Sequence, residues 1–246
     1  MSNKTYKGIV LRSVKYGEHD RILTLFTLER GKLSAVAKGA QSPKCRYIAS
    51  CQSYCLSEFV LSENLKMPYV VSADVVRGFY GLINDPASLI AAGYASELTE
   101  TCFEEDSPEE AAFMLLYHTL KILEENPGGS AITAATAFAL KLMGINGTYP
   151  VLDRCASCGR KTGKYYFSPQ SGGTVCDDCS SPEETERLTS AEAMYLYDLL
   201  YKNINDIAGM DAFDGMTRKY LFRTVNEYCV YILGRNIKSS ELMYSF

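Results

Sequence analysis

The chain has 246 residues, 47% of them apolar, and a formal net charge of −4. That length holds two compact units and a small third one. The richest apolar run, residues 131–143, is too short for a bilayer and is broken by Lys141, which argues against a membrane-spanning helix and for a soluble, cytoplasmic protein. The charge is unevenly spread: residues 1–80 carry twelve Lys and Arg against six Asp and Glu, and residues 81–150 carry two against ten. A basic front of this kind predicts a polyanion partner, although the net charge alone argues against nucleic acid.

Residues 7–14, 21–28 and 32–37 read as strands, with Gly31 in the short turn before the third, where positive φ is needed. A polar loop over 39–50 carries Pro43, Lys44 and Arg46. Residues 51–61 read as a fourth strand. Tyr69, Val71, Ala73 and Val75 fall on one face of a fifth by period-two spacing. Five short strands with one long loop leave no room for crossover helices. They predict a small closed barrel, for which the OB-fold is the natural candidate.

The texture then changes to helix. Asp85-Pro86 is an N-cap with proline at the first helical position, opening a helix to about residue 105. Ser107-Pro108-Glu109-Glu110 reads as a capping box for a second helix, ending at the breaker Asn126-Pro127-Gly128-Gly129. A third, alanine-rich helix over 130–143 is expected to stop at Gly144. Further on, Ser181-Pro182-Glu183-Glu184 and Thr189-Ser-Ala-Glu192 are capping signals, and a last helix near 214–233 places Leu221, Val225, Tyr228 and Ile232 on one stripe. The predicted class is therefore an α+β multidomain chain. It has an N-terminal OB-fold barrel (1–80) and a C-terminal helical domain (81–246) with a four-cysteine zinc module (151–182) inserted.

That module rests on the strongest motif. Cys155-Ala-Ser-Cys158 is followed, after seventeen intervening residues, by Cys176-Asp-Asp-Cys179. Each C-x-x-C turns two sulfurs toward one point, and two pairs close a tetrahedron suited to zinc, with no position left open for chemistry. Tyr165-Tyr166-Phe167 reads as a strand between the knuckles. A disulfide framework fits poorly, since no apolar leader follows Met1 and the nine cysteines are an odd count. Cys45, Cys51, Cys55, Cys102 and Cys229 are read as unpaired thiols.

No catalytic constellation accompanies the metal motif. The two histidines, His19 and His118, stand apart. There is no H-x-E before the C-x-x-C, no phosphate-binding G-x-x-x-x-G-K-[ST] and no G-x-S-x-G. The chain is read as a binding protein and not an enzyme. Arg12, Lys15, Arg21, Lys32, Lys38, Lys44 and Arg46 supply the cation array that phosphate binding needs, with Tyr6, Tyr16, Phe26, Tyr47 and Tyr54 interleaved as candidate stacking groups.

Several segments together resemble the RecO family of bacterial recombination mediators. They are Gly8-Ile-Val-Leu11, Tyr16-Gly-Glu-His-Asp20, Leu25-Phe-Thr27, Gly31 and Ala37-Lys-Gly-Ala40, then the two cysteine knuckles with their flanks from Val151 and Gly172. Tyr220-Leu221 and the close Leu233-Gly-Arg-Asn-Ile-Lys238-Ser239 complete the set, so the resemblance spans essentially the whole chain. It implies binding to single- and double-stranded DNA, annealing of complementary strands, and, with RecR, loading of RecA onto DNA coated by single-strand-binding protein (SSB). It further implies a functional link to RecF and a cytoplasmic, nucleoid-associated setting away from membranes. The loop Gln41-Ser-Pro-Lys44-Cys45-Arg46 and the tail after Asn236 are less basic than the family pattern, which predicts weaker and more salt-sensitive DNA binding. The acidic, apolar tail of SSB requires cations beside apolar walls, and Lys121, Lys141, Arg218, Lys219 and Arg223 are the candidates in the helical part. The alternative is a zinc-stapled scaffold that bridges proteins and touches DNA little.

Overall fold

The computed structural model describes residues 3–62, 67–128, 131–161, 165–181 and 185–245. Strands β1 (Asn3–Tyr16), β2 (Asp20–Thr27), β3 (Gly31–Ala37), β4 (Leu56–Ser62) and β5 (Tyr69–Arg77) form a closed barrel in the order β1-β2-β3-β5-β4. The long β1 pairs along its outer half with β2, to Tyr16↔Asp20, and along its inner half with β4, from Asn3↔Ser62. The parallel bridge Val36↔Tyr69 closes β3 onto β5.

Two strand expectations are corrected. The fourth strand begins at Leu56, not residue 51, because residues Ala49–Cys51 form a 3-10 turn and Tyr54 takes φ +68°, which no strand tolerates. In β5 the inward residues are Val70 and Ala73, whereas Val71 and Val75 are 42% and 41% exposed. The register explains Val71: Val60 pairs with Ser72 and Leu61 with Val70, so Val71 is an extra, bulged residue and the side-chain parity flips. Val75 lies beside a second register shift, between Leu56 and Ser57.

Among the described residues six α-helices follow: α1 (Pro86–Cys102), α2 (Glu110–Glu125), α3 (Ala131–Ile145), α4 (Ser190–Tyr201), α5 (Gly215–Leu233) and the short α6 (Ser240–Met243). Asp85 caps α1 by accepting from Ser88 N. Thr189 and Glu192 form the full capping box of α4, and Asp214 caps α5. Alanine-rich α3 is buried on nearly every side and packs against α1, α2, α4 and α5, as expected of a helix that is apolar all round.

Three helix ends differ from expectation. α1 stops at Cys102, and the following residues are drawn to the barrel by the bridge Lys32↔Glu105 and the bond from Asp106 N to Lys32 O. α2 starts at Glu110 under a Glu109 cap, not at Ser107, because the Ser107-Pro108 backbone lies directly over Gly31 of the barrel. A side chain at position 31 would collide with it. Gly144 lies inside α3, and the turn is made by Gly147 at φ +82°. There Thr148 N bonds Met143 O and Gly147 N bonds Gly144 O, the pattern of a Schellman cap. The capping signal at 181–184 falls largely on residues 182–184, outside the described residues.

Between α3 and α4, β6 (Tyr165–Ser168), β7 (Gly173–Val175) and β8 (Glu186–Leu188) make a sheet in the order β7-β6-β8. β8 joins it beyond residue 182. Phe167 is fully buried from this sheet and meets Tyr228 of α5 edge-on at 5.8 Å.

Two apolar clusters organise the larger part. One fills the barrel, with Val10, Leu23, Leu25, Leu33, Phe59 and Leu61 pointing inward. The other runs from the outer barrel wall, through Ile9, Leu11, Phe26 and Leu56, into the helices. Strand β2 is therefore buried on both faces, which is why it reads as a near-continuous apolar run. Phe26 stacks on Phe103 at 5.4 Å and lies 6.3 Å from Phe113.

Candidate metal centre and basic surfaces

The C-x-x-C spacing leaves the first knuckle to be closed by backbone bonds. Gly159 N donates to Cys155 O at 2.8 Å, with Gly159 at φ +74°, and Cys155 N donates to Arg160 O at 2.8 Å. In the second knuckle Cys179 N donates to Cys176 O at 3.0 Å. Ala156 N, bonded to Thr174 O at 2.7 Å, ties the first knuckle to the second. As a result the Sγ atoms of Cys155, Cys158, Cys176 and Cys179 all lie within 4.8 Å of one another. The Cys158–Cys176 sulfur separation is 3.7 Å. A tetrahedron with metal–sulfur bonds of about 2.3 Å has an edge of about 3.8 Å, so this donor set fits a divalent ion that prefers thiolates.

The surroundings favour ionised sulfur at Cys155 and Cys158, whereas hydrogen bonding to Cys176 and Cys158, with burial, raises the Cys179 thiol to about 12. Burial raises the Cys155 thiol, but N–H groups of Cys158, Cys176 and Ser157 outweigh it and bring the thiol down to about 6. Arg160, which donates from Nε to Cys158 Sγ at 3.5 Å, holds that thiol below its ordinary value. Arg160 is itself anchored by Asp178 at 2.6 Å. Sequence reasoning missed this arginine, although its place two residues after Cys158 and the acidic Asp178 between Cys176 and Cys179 were both visible.

The seven barrel cations do not form one array. Arg12 pairs with Glu100 of α1 at 2.8 Å, and Lys32 donates to the Glu100 carbonyl at 2.6 Å. Two further barrel cations do the same: Arg30 pairs with Asp106, and Arg77 with Glu124 at 3.0 Å. Part of the charge split between residues 1–80 and 81–150 is thus neutralised inside the molecule. Arg21 is spent within the barrel, donating to Ser13 Oγ at 2.8 Å, opposite Lys15 in the β1–β2 register. Lys38, Lys44 and Arg46 are exposed on the loop that follows β3 and form no ion pair among the described residues. Lys38 lies 4.6 Å from the Tyr69 ring centre, and its carbonyl accepts from Tyr47 OH at 2.7 Å. Of the aromatics singled out, Tyr6 and Phe26 are core, Tyr47 and Tyr54 are half-buried, and Tyr16 is exposed.

The five helical cations are also divided. Arg218 and Lys219 line one cleft of about 220 Å³ whose walls include Ala131, Ile132 and Met243. Lys141 lies in another, donating to the carbonyls of Leu200 at 2.7 Å and Lys202 at the C-terminus of α4, and burial lowers it to about 8. Lys121 pairs with Glu125 and Arg223 with Glu186, lining neither cleft.

A further cleft, about 510 Å³, opens between the barrel and α1. It gathers Arg12 and Lys32 with Arg235 and Lys238 from the segment after α5. Sequence reasoning placed none of the last pair in a site, since only folding brings the chain's end back to β1. Among the described residues no helix is long and apolar enough to cross a membrane.

Comparison with known proteins agrees along the whole chain. The family description "Recombination protein O N terminal" matches residues 1–79 and "Recombination protein O C terminal" matches residues 83–241. A protein named "DNA repair protein RecO" from Desulforamulus reducens is 31% identical over 246 residues, covering 98% of this chain and 94% of the relative. One of the same name from Pelotomaculum thermopropionicum is 32% identical over 250 residues, covering 99% and 95%. Another, from Alkaliphilus metalliredigens, is 37% identical over 174 residues, 70% of each chain.

Proposed function

The chain belongs to the RecO family of DNA repair proteins, and from that premise we propose that it binds single- and double-stranded DNA and anneals complementary strands. With RecR it helps RecA replace SSB on gapped DNA in the cytoplasm, in a pathway shared with RecF. No bond is made or broken in this role. The observation that carries the reading is the loop after β3, where Lys38, Lys44 and Arg46 stand exposed and, among the described residues, without an ion pair, near Tyr47 and Tyr69. Cations near half-exposed rings suit a strand whose phosphates are neutralised while its bases stack. Zinc at the four cysteines, a closed site, serves the fold of its module.

The SSB tail is assigned to the cleft holding Arg218 and Lys219. Lys121 and Arg223 line no cleft, and Lys141, though its cleft has apolar walls, is engaged by the carbonyls of Leu200 and Lys202; here Lys219 and Arg218, the latter paired with Asp211, flank apolar walls. Lys219→Glu should weaken capture of an SSB tail peptide; unchanged capture sinks the assignment.

The DNA reading is tested by fluorescence anisotropy with a labelled single-stranded oligonucleotide across a salt series. Wild type should lose affinity steeply with salt, and the triple variant K38E/K44E/R46E should bind at least tenfold more weakly while melting normally. The second reading, a protein-bridging scaffold, is favoured by the four ion-paired or hydrogen-bonded cations at the barrel–helix seam, which leave fewer for DNA. Absence of binding by wild type at low salt would select it.

A further inference from the structure

The cleft between the barrel and α1 is built as a site for an anion. Arg12, Lys32, Arg235 and Lys238 converge on it, with Glu97 and Glu100 as the acids in its wall. Both acids are already engaged. Glu97 accepts from the backbone N–H groups of Lys238 and Ser239, at 2.9 and 2.8 Å, and from Ser239 Oγ at 2.6 Å. Glu100 accepts from Arg12, and its carbonyl accepts from Lys32. The donors are not exhausted: an ammonium has three and a guanidinium five. Arg235 and Lys238 are exposed and form no ion pair among the described residues.

A second feature points to a ligand. Ser96 lines the cleft and is 3% exposed, and its buried hydroxyl has no hydrogen-bond partner among the described residues. Of the six buried side-chain polar atoms without a partner among the described residues, it is the one whose residue lines this cleft, and such a group calls for a partner. Gly93, one turn earlier on α1, also lines the cleft, and only the Tyr54 hydroxyl comes near the space its side chain would take.

Four cations against two carboxylates leave the cleft with a formal charge of +2. A phosphodiester carries one negative charge, whereas a phosphate monoester carries about −1.5 to −2 at pH 7. The volume, about 510 Å³, is within the range of small-molecule sites. We propose that this cleft binds the phosphate monoester of a nucleotide, with Ser96 and the four cations as its donors. The proposal rests on the nucleic-acid reading above and adds to it a site for the phosphorylated end of a strand, separate from the loop that holds its length.

The test compares oligonucleotides of one sequence carrying either a terminal phosphate or a hydroxyl, with thymidine 5′-monophosphate and thymidine as free probes. Wild type should prefer the phosphorylated oligonucleotide, and calorimetry should detect the monophosphate but not thymidine. R235A/K238A should erase both effects, about a tenfold loss, and bind the hydroxyl oligonucleotide as before. K38E/K44E/R46E should weaken both oligonucleotides alike and keep the monophosphate. Ser96→Ala should weaken monophosphate binding about threefold while raising the melting temperature, since it removes an unpartnered buried hydroxyl. A merely structural serine would not show that opposition. Binding of the monophosphate without any oligonucleotide preference would assign the cleft to free nucleotides instead of strand ends. Equal binding of both oligonucleotides with no monophosphate binding overturns the cleft and leaves the DNA reading standing; failure of both oligonucleotides overturns the DNA reading by itself.

Discussion

The barrel and the cysteine module are both small β structures, yet they are held together by different means. The barrel encloses its own apolar cluster and shares a second one with the helices. Among the described residues the module's separate cluster contains just three buried members, Cys155, Val175 and Cys176, two of which belong to the four-sulfur set. The barrel is stabilised by the area it removes from water; the module lends Leu152, Phe167 and Leu188 to the shared cluster, while its knuckle loops, on the zinc reading proposed above, are fastened by a metal. On that reading, a single chain carries a part whose folding is independent of metal beside a part whose folding is bound to it.

The sharpest way to break that contrast is to remove the metal. Structural zinc is worth about 10–16 kcal/mol to isolated finger peptides, so the effect should be the largest of all. Chelation, or C155S/C176S, should open residues 151–188 to limited proteolysis while the barrel and the other helices stay protected. Uniform protection with no bound metal would refute the difference. Next in size is the shared core. Phe26→Ala should cost about 3–5 kcal/mol in urea unfolding, because the ring packs against both Phe103 and Phe113. Barrel and helices should still unfold in one transition. Two separated transitions in the wild type would show that the seam does not unite them.

Smaller effects refine the picture. Thr189→Ala removes the hydroxyl side of the α4 capping box and should cost about 1 kcal/mol, read as a lower urea midpoint at unchanged slope. The seam ion pairs come last. Arg12 is 58% exposed, so Arg12→Ala should change stability by less than about 1 kcal/mol. A larger loss would mean that charge, and not apolar area, holds the seam.

Much of this was legible in the chain. The cysteine spacing alone predicts the sulfur cluster, and Asp85 and Thr189 announce their helices. What escaped was set by contacts distant in sequence. Arg12 and Lys32 read as free cations because nothing local says that Glu100 will meet them. The Ser107-Pro108 signal fails as a helix start because the barrel turn at Gly31 holds that backbone elsewhere. Val71 is misplaced for another reason: one bulged residue inverts strand parity, and β5 contains no glycine to mark it.

The shared seam also governs how the chain is made. β1 and β4 pair across the first sixty or so residues, so the barrel can close early during synthesis. Its outer wall, with Ile9, Leu11, Phe26 and Leu56, is covered by α1, α2 and Phe103, which emerge later. At about 5–20 residues per second, an N-terminal barrel waits roughly 3–10 seconds for roughly fifty more residues. During that interval it presents an apolar flank to the crowded exit of the ribosome, a natural resting place for a holding chaperone. The same flank makes the severed barrel a poor independent product, prone to self-association.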